Sequence, residues 1–283
     1  MADLVYPPVI KLVRAFWKYL DLRFTFYGQS HIPNKGPAIL AMNHVGYLDF
    51  ALAGTAFLPT SRLVRFMAKK EIFDHPIAGP LMRGMKHISV DRSNGAPSFL
   101  AALKALDKGE IVGVFPEATI SQSFELKDMK SGVIRLAMES GAPILPMVIW
   151  GSQRVWSKKL PKNLSRSSIP IFIAIGPLRY IKKGSDIDRE LAALKEVMAQ
   201  LLNQVQSDYP DSHEGARWAP ARLGGSAPSP AELEDMQEIK RRVERCLVER
   251  RRIPTLLRKL DLKRFAMLTL LLASITSLYF SAA

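Results

Sequence analysis

From Leu22 to about Asp208 the chain alternates short apolar runs with stretches whose apolar residues recur at helical spacing. Seven compact runs read as strands: Leu22–Tyr27, Ala38–Met42, Leu63–Ala68, His87–Asp91, Ile111–Phe115, Ile144–Ile149 and Ile169–Ile175. Helical period lies between most of them, at Phe50–Phe57, Ile77–Arg83, Pro97–Lys108 and Gly132–Ser140, with a longer helix at Asp186–Gln206. This alternation predicts an α/β domain over residues 22–209, a mixed β-sheet flanked by helices. Ligands in such sheets gather at the carboxyl ends of strands, and the informative polar residues sit there.

The flanks carry different patterns. Over Pro8–Leu20, Ile10, Val13, Trp17 and Leu20 fall near helical spacing with Lys11, Arg14 and Lys18 between them. Residues 1–21 therefore read as an amphipathic helix suited to a bilayer interface, with Trp17 at its edge, or packed on its own domain. After Tyr209 a Pro, Gly, Ala and Ser rich stretch, residues 210–229, reads as a linker. Ser229, Pro230 and Glu232 then signal a helix start, and Leu233, Met236, Val243 and Leu247 give the helix a narrow apolar seam until Pro254. A basic helical segment over residues 230–264 leads into an uncharged tail over residues 265–283. As a helix that tail would rise about 28 Å, close to the roughly 30 Å hydrocarbon core, so it is expected either to span a membrane or to lie in its interface.

Charge sharpens the picture. The net charge of +14 attracts anions, and eleven basic against three acidic residues between Lys240 and Arg264 place much of it directly before the apolar tail. Basic residues flanking an apolar segment point to an anionic membrane surface. Nucleic acid is excluded as a partner, since stacking aromatics and nucleic-acid motifs are missing there. The single cysteine, Cys246, rules out an intrachain disulfide framework and a cysteine-rich zinc site. No pattern of a cleavable secretory signal opens the chain, so the body is expected on the cytosolic side.

The chemistry begins just after the run Ala38–Met42, at Asn43-His44-Val45-Gly46-Tyr47-Leu48-Asp49. Five residues put two side chains about 140° apart on a continuous helix, so His44 and Asp49 meet only across a strand-turn-helix corner, which Gly46 allows. There Asp49 would hold one imidazole nitrogen and leave the other to take a proton from an attacking hydroxyl. A His followed by Asp at this spacing arises by chance in about one chain in four of this composition, so the pair needs company. Phe115-Pro116-Glu117-Ala118-Thr119-Ile120-Ser121 supplies it: Pro116 stops a strand, and a carboxylate and a hydroxyl, Glu117 and Thr119, follow where a polar head group could be oriented.

Together with Lys69-Lys70-Glu71, His87 to Arg92 and Pro143-Ile144-Leu145-Pro146, in this order, these motifs resemble the glycerolipid acyltransferases that include the 1-acylglycerol-3-phosphate type. The resemblance covers roughly residues 20–205. It implies the acyltransferase α/β fold, His44 and Asp49 as the catalytic pair, and a substrate-binding surface that includes Asn43, Arg92 and the Glu117–Thr119 region. Two positions depart from the family: Ala118 stands for glycine, and Ile120 for an arginine that would contact acceptor phosphate. Lys69, Lys70, Arg92 and Lys130 are the candidates to replace that guanidinium, or the acceptor differs. Gly46 stands where many members carry serine.

No Gly-x-Ser-x-Gly elbow and no His-Glu-x-x-His occurs, and Cys246 lies outside the α/β core, so direct transfer is expected rather than a covalent acyl-enzyme. No metal or cofactor is required; acyl-CoA or acyl carrier protein is the co-substrate. The resemblance implies acylation of 1-acylglycerol-3-phosphate to phosphatidate in phospholipid synthesis. The alternatives are another acceptor (glycerol 3-phosphate, a lysophospholipid or a phosphoinositide glycolipid) and, more remotely, a non-catalytic membrane adaptor. The expected place is the cytosolic face of a membrane, the cell membrane first, held peripherally or by the tail.

Overall fold

The computed structural model describes residues 3–252. The chain divides into two compact units, Met1–Ser229 and Pro230–Ala283. Seven strands of the first unit form one sheet: β1 (Arg23–Tyr27), β2 (Ala38–Met42), β3 (Val64–Lys69), β4 (Ile88–Val90), β5 (Ile111–Val114), β6 (Ile144–Trp150) and β7 (Pro170–Ile175). Its order is β1-β7-β6-β2-β5-β3-β4, and every pairing is parallel except β6 with β7. The sheet is mixed, as the sequence predicts.

Burial on both faces explains the composition. β2, β6 and β7 are buried at every position and read as unbroken apolar runs, the signature of parallel strands covered on both sides. The covering helices are α1 (Tyr6–Leu20), α2 (Asp49–Thr55), α3 (Lys70–Asp74), α4 (Ala78–Gly84), α5 (Ala96–Asp107), α6 (Gly132–Ser140) and α7 (Ile187–Ser207). α5 lies against β4 and β5, α6 against β2, and α7 against β6 and β7. α7 begins where the Asp186 carboxylate accepts the Arg189 N–H at 2.9 Å, and it turns Leu194, Met198, Leu202 and Val205 inward at helical spacing. Element ends fall within two residues of those expected; the short α3, inside the Lys69-Lys70-Glu71 motif, is an addition.

Two expectations about the flanks are corrected. Trp17 does not sit at an exposed edge: it is buried, and its Nε1 donates to Thr55 Oγ1 at 3.2 Å, so α1 is packed into the domain and turns Lys11, Leu12, Arg14, Lys18 and Tyr19 outward. Residues 210–229 are not a loose linker. Tyr209, His213 and Trp218 pack around Trp150, Ala219 and Ala227 are buried, and Arg154 lies 4.5 Å from the centre of the Trp218 ring. Aromatic burial there outweighs the loop-like composition. The second unit shows α8 (Pro230–Arg252), whose Met236, Ile239 and Val243 are exposed. Among the described residues no helix is long and apolar enough to cross a membrane, and the tail, residues 265–283, lies outside them.

Candidate active site

The five neighbours β6, β2, β5, β3 and β4 are mutually parallel, so their carboxyl ends share one edge of the sheet. In that order the edge presents Ser152, His44, Glu117, Lys69 and Arg92 at or just past the strand ends. The sheet thus assembles a site from residues up to 108 positions apart (44 to 152).

At its centre His44 Nδ1 meets Asp49 Oδ2 at 2.9 Å. Asp49 is the first residue of α2 and fully buried, and its carboxylate accepts three further bonds: Val45 N–H and Gly46 N–H at 2.8 Å each on Oδ2, and the Ser152 hydroxyl at 2.6 Å on Oδ1. With both oxygens committed to donors, the carboxylate must be the acceptor from His44, which fixes the imidazole proton on Nδ1 and frees Nε2. The imidazole is about one-fifth exposed and stacks on Phe115 at 4.1 Å between centroids. Phe115 in turn lies over Phe66, whose ring occupies the space a Cβ on Gly113 would need.

Among the described residues, the serines bonded into this corner are not free to serve as nucleophiles. Ser152 is bound to Asp49, the Ser157 hydroxyl donates to Val45 O at 2.5 Å, and the Ser121 hydroxyl donates to Glu125 O at 2.7 Å. A Cβ on Gly46 would approach Asp49 Oδ1 and Ser152 Oγ to 3.1 Å, so a serine at position 46 and the Ser152 hydroxyl compete for one place.

Two residues expected to touch substrate do something else. Asn43 is buried, its amide nitrogen donating to Ile149 O at 3.1 Å and its oxygen accepting Ile149 N–H at 2.8 Å, so it ties the end of β2 to β6 and aims the next residue, His44. Glu117 is buried too: Oε1 accepts His44 N–H and Oε2 accepts Lys127 N–H, each at 3.2 Å. Burial pushes Glu117 up to about 8, against the opposing pull of those two N–H groups and the Lys127 charge. It clamps the two loops rather than presenting a carboxylate to a head group.

The remaining candidates spread along the rim. Thr119 Oγ1 accepts from Lys127 Nζ at 2.5 Å, and Arg92 Nη2 donates to Ala118 O at 2.7 Å. Lys69 is exposed at the start of α3, Lys70 is diverted to Asp91 at 3.5 Å, and Lys130 is exposed with its N–H on Pro116 O. Ala118 holds φ at +59°, the conformation for which the family's glycine is suited, and Ile120 is buried. Ser152, Lys127 and Lys158 belong to no motif and carry no local mark in the sequence. Burial, and after it the charges of Lys127, Lys69 and Arg92, hold Lys158 below the ordinary lysine value. Among the described residues no group of three or more His, Cys, Asp or Glu side chains is placed to hold a metal ion.

A family model described as Acyltransferase matches residues 23–150. The 1-acyl-sn-glycerol-3-phosphate acyltransferase of Bacillus subtilis (strain 168) is 32% identical over 183 residues, 64% of this chain and 87% of that protein. The chain belongs to the acyltransferase family. Its acyltransferase domain is also similar to proteins of the same name from Borreliella burgdorferi, 25% identical over 58% of this chain and 64% of that one, and from Limnanthes douglasii, 33% identical over half of each. The fold matches the crystal structure of the 1-acyl-sn-glycerophosphate acyltransferase from Thermotoga maritima with a TM-score of 0.60 at 22% identity, over 72% of this chain and 82% of that one. The protein is an O-acyltransferase of lipid metabolism, and the imidazole and its buried carboxylate lie inside the matched region.

Proposed function

We propose that this acyltransferase moves a fatty acyl group from a thioester carrier, acyl-CoA or acyl carrier protein, to the free hydroxyl of 1-acylglycerol-3-phosphate, making phosphatidate at the cytosolic face of a membrane. The observation that supports it most is a base without a nucleophile: His44 Nε2 is free, Nδ1 is held by a carboxylate with four donors, and the nearby serines are engaged. As the acceptor oxygen bonds to the thioester carbonyl carbon, Nε2 takes the hydroxyl proton; as the C–S bond breaks, the same nitrogen returns a proton to the departing thiolate. Val45 and Gly46 N–H are spent on Asp49, so the carbonyl oxyanion must draw its donors from elsewhere on the rim.

An apolar cavity of about 230 Å³ between α1, α2 and β3 suits an acyl chain; Val9, Val13, Phe50, Phe57 and Phe66 are among its walls. Phe66 links it through Phe115 to His44. The outward basic face of α1, with Leu12 and Tyr19 exposed, suits an anionic bilayer surface. Buried Ile120, in place of the family's arginine, favours a second reading, the same transfer to another glycerol-phosphate acceptor. Purified protein offered a panel of lysolipids with both carriers, read by mass spectrometry, separates the two. Phosphatidate is expected, and His44→Ala should lower its rate by about 10² to 10⁴. Wild-type protein that acylates no glycerol-phosphate lipid, or a variant of near-normal rate, overturns the proposal.

A further inference from the structure

Between Glu139 and Asp186 the chain carries no acidic residue but eight basic ones, and four of these, Lys158, Lys159, Lys162 and Arg166, sit in the loop that joins β6 to β7. The loop covers residues 151–169, far more than a connection between adjacent antiparallel strands requires. It is nonetheless pinned along its length. Asn163 N–H meets Val155 O at 2.8 Å, Ser167 N–H meets Leu20 O at 3.0 Å, and the Ser168 hydroxyl donates to Asp21 at 2.6 Å. Lys162 Nζ lies 4.5 Å from the centre of the Trp156 ring. The loop also adjoins the site: Trp156 O accepts Tyr47 N–H at 2.9 Å and the Ser157 hydroxyl donates to Val45 O, so Lys159 follows two residues after a group bound beside His44.

Lys159, Lys162 and Arg166 face solvent. Among the described residues the two lysines enter no ion pair, and Arg166 reaches Asp21 only at 3.7 Å. The cavity of about 350 Å³ that the loop helps to wall, with Arg154, Asn163 and Trp218, is lined by none of the three. A small polyanion such as coenzyme A is gripped by donors that converge in a concave site, whereas spaced cations on an open surface match the dispersed carboxylates of an acidic protein. A bilayer contact needs apolar side chains among its cations, and the loop, described throughout, exposes a single large one, Leu164. Charge without apolar surface, fixed in position beside the catalytic imidazole, fits a protein partner best.

We propose that Lys159, Lys162 and Arg166 form the docking surface for an acidic carrier protein, and that this contact makes acyl carrier protein the preferred donor over CoA. The carrier seated there delivers its thioester past Ser157 to His44. The bonds made and broken are those of the transfer given above: the acceptor oxygen takes the acyl carbon, and the carrier's thiolate leaves with the proton that Nε2 returns. The proposal rests on that transfer, and the test separates the failure of one from the failure of the other.

Lys159→Glu, Lys162→Glu and Arg166→Glu, singly and together, are compared with wild type on one acyl chain carried by acyl carrier protein or by CoA, with detergent-dispersed 1-acylglycerol-3-phosphate as acceptor. Wild type should show the higher kcat/KM with the carrier protein, and its KM there should rise with salt, since attraction between exposed charges is screened over about 10 Å. The triple variant is expected to raise that KM by about tenfold to a hundredfold and to lose most of its salt dependence, with kcat and the kinetics on acyl-CoA held within about threefold. Lys104→Glu with Lys108→Glu, both exposed on α5, is the control for net charge, and melting curves show that each variant folds. A wild type that prefers acyl-CoA, or a triple variant with an unchanged KM for the carrier protein, overturns the proposal. So does an equal loss with both donors: a matching rise in the KM of acyl-CoA assigns the loop to coenzyme A, and a matching loss of binding to vesicles of phosphatidylcholine and phosphatidylglycerol assigns it to the bilayer. Wild-type protein that forms no product with either carrier sinks the transfer itself, before any variant is read.

Discussion

Asp49→Asn separates the charge of the buried carboxylate from its shape. Oδ2 accepts from His44, Val45 and Gly46, and Oδ1 from Ser152 alone. A carboxamide therefore has one tolerable orientation, with its oxygen in the three-donor position and its NH₂ toward Ser152 Oγ, which can turn and accept. The reverse orientation would set an NH₂ against three donors. Three of the four bonds survive and the fourth reverses direction, so the fold should lose only about 1–3 kcal/mol, or some 2–12 °C in a unit of this size. What is lost is the negative charge 2.9 Å from the imidazolium that forms as the proton is taken. At an effective dielectric constant near 20, a unit charge at that distance interacts by about 6 kcal/mol, and the amide dipole recovers part of it. A kcat reduced by about 10² to 10⁴ follows. Thiol release at saturating acceptor and thioester measures it, and a melting curve measures the fold. Ser152→Ala is the companion: it keeps the charge and removes only the 2.6 Å bond, so it should cost about 1–3 kcal/mol and roughly tenfold in rate. An Asp49→Asn enzyme within threefold of wild type, or one no slower than Ser152→Ala, would refute the assignment of Asp49 to imidazolium stabilisation.

Glu117 carries the opposite electrostatic signature. Its folded value of about 8 lies above the ordinary 4.5, so the folded state binds the extra proton and this group's contribution to stability falls as pH rises from about 4.5 to 8. Glu117→Gln removes that slope, and denaturant midpoints at pH 5, 7 and 9 should show the variant gaining on wild type as pH increases; a constant difference would contradict a raised value. At Ala118, where φ is +59°, Ala118→Gly relieves the strain of a left-handed alanine at the expense of a more flexible unfolded chain, for a net gain of up to about 1 kcal/mol. A melting temperature unchanged or lowered would show that the turn tolerates the Cβ without strain.

What the sequence revealed follows from distance along the chain. The strands were legible because parallel strands buried on both faces have to be apolar throughout, as Ala38–Met42 and Ile144–Trp150 are. The pairing of His44 with Asp49 was legible because it closes across five residues. Ser152 was not, because its bond to Asp49 joins positions 103 apart and nothing local marks that serine. Lys127 and Lys158 were hidden for the same reason: a lysine in a loop reads as solvated until the loop's partner is known. Asn43 and Glu117 show the converse error, since polar residues in a motif suggest substrate contact, whereas both spend their polar atoms on backbone groups. Composition misjudged residues 210–229, where Pro and Gly set the path and Trp218 and Ala219 set the packing.

That packing bears on where the catalytic module can be cut. The family match stops at Trp150, yet the very next residues are those that support the site: Ser152 holds Asp49, Trp156 O accepts Tyr47 N–H, and Ser157 is bound to Val45. This loop is in turn braced from downstream, with Gln153 donating to Trp218 O at 3.3 Å and Arg154 donating to the Tyr209 hydroxyl at 2.9 Å and to Asp211. Ring contacts of Trp150 with Tyr209, His213 and Trp218 close the same brace. The smallest excisable catalytic module therefore runs to about residue 229, and a graft of the matched region alone into another scaffold would leave His44 facing a carboxylate with no wall behind it.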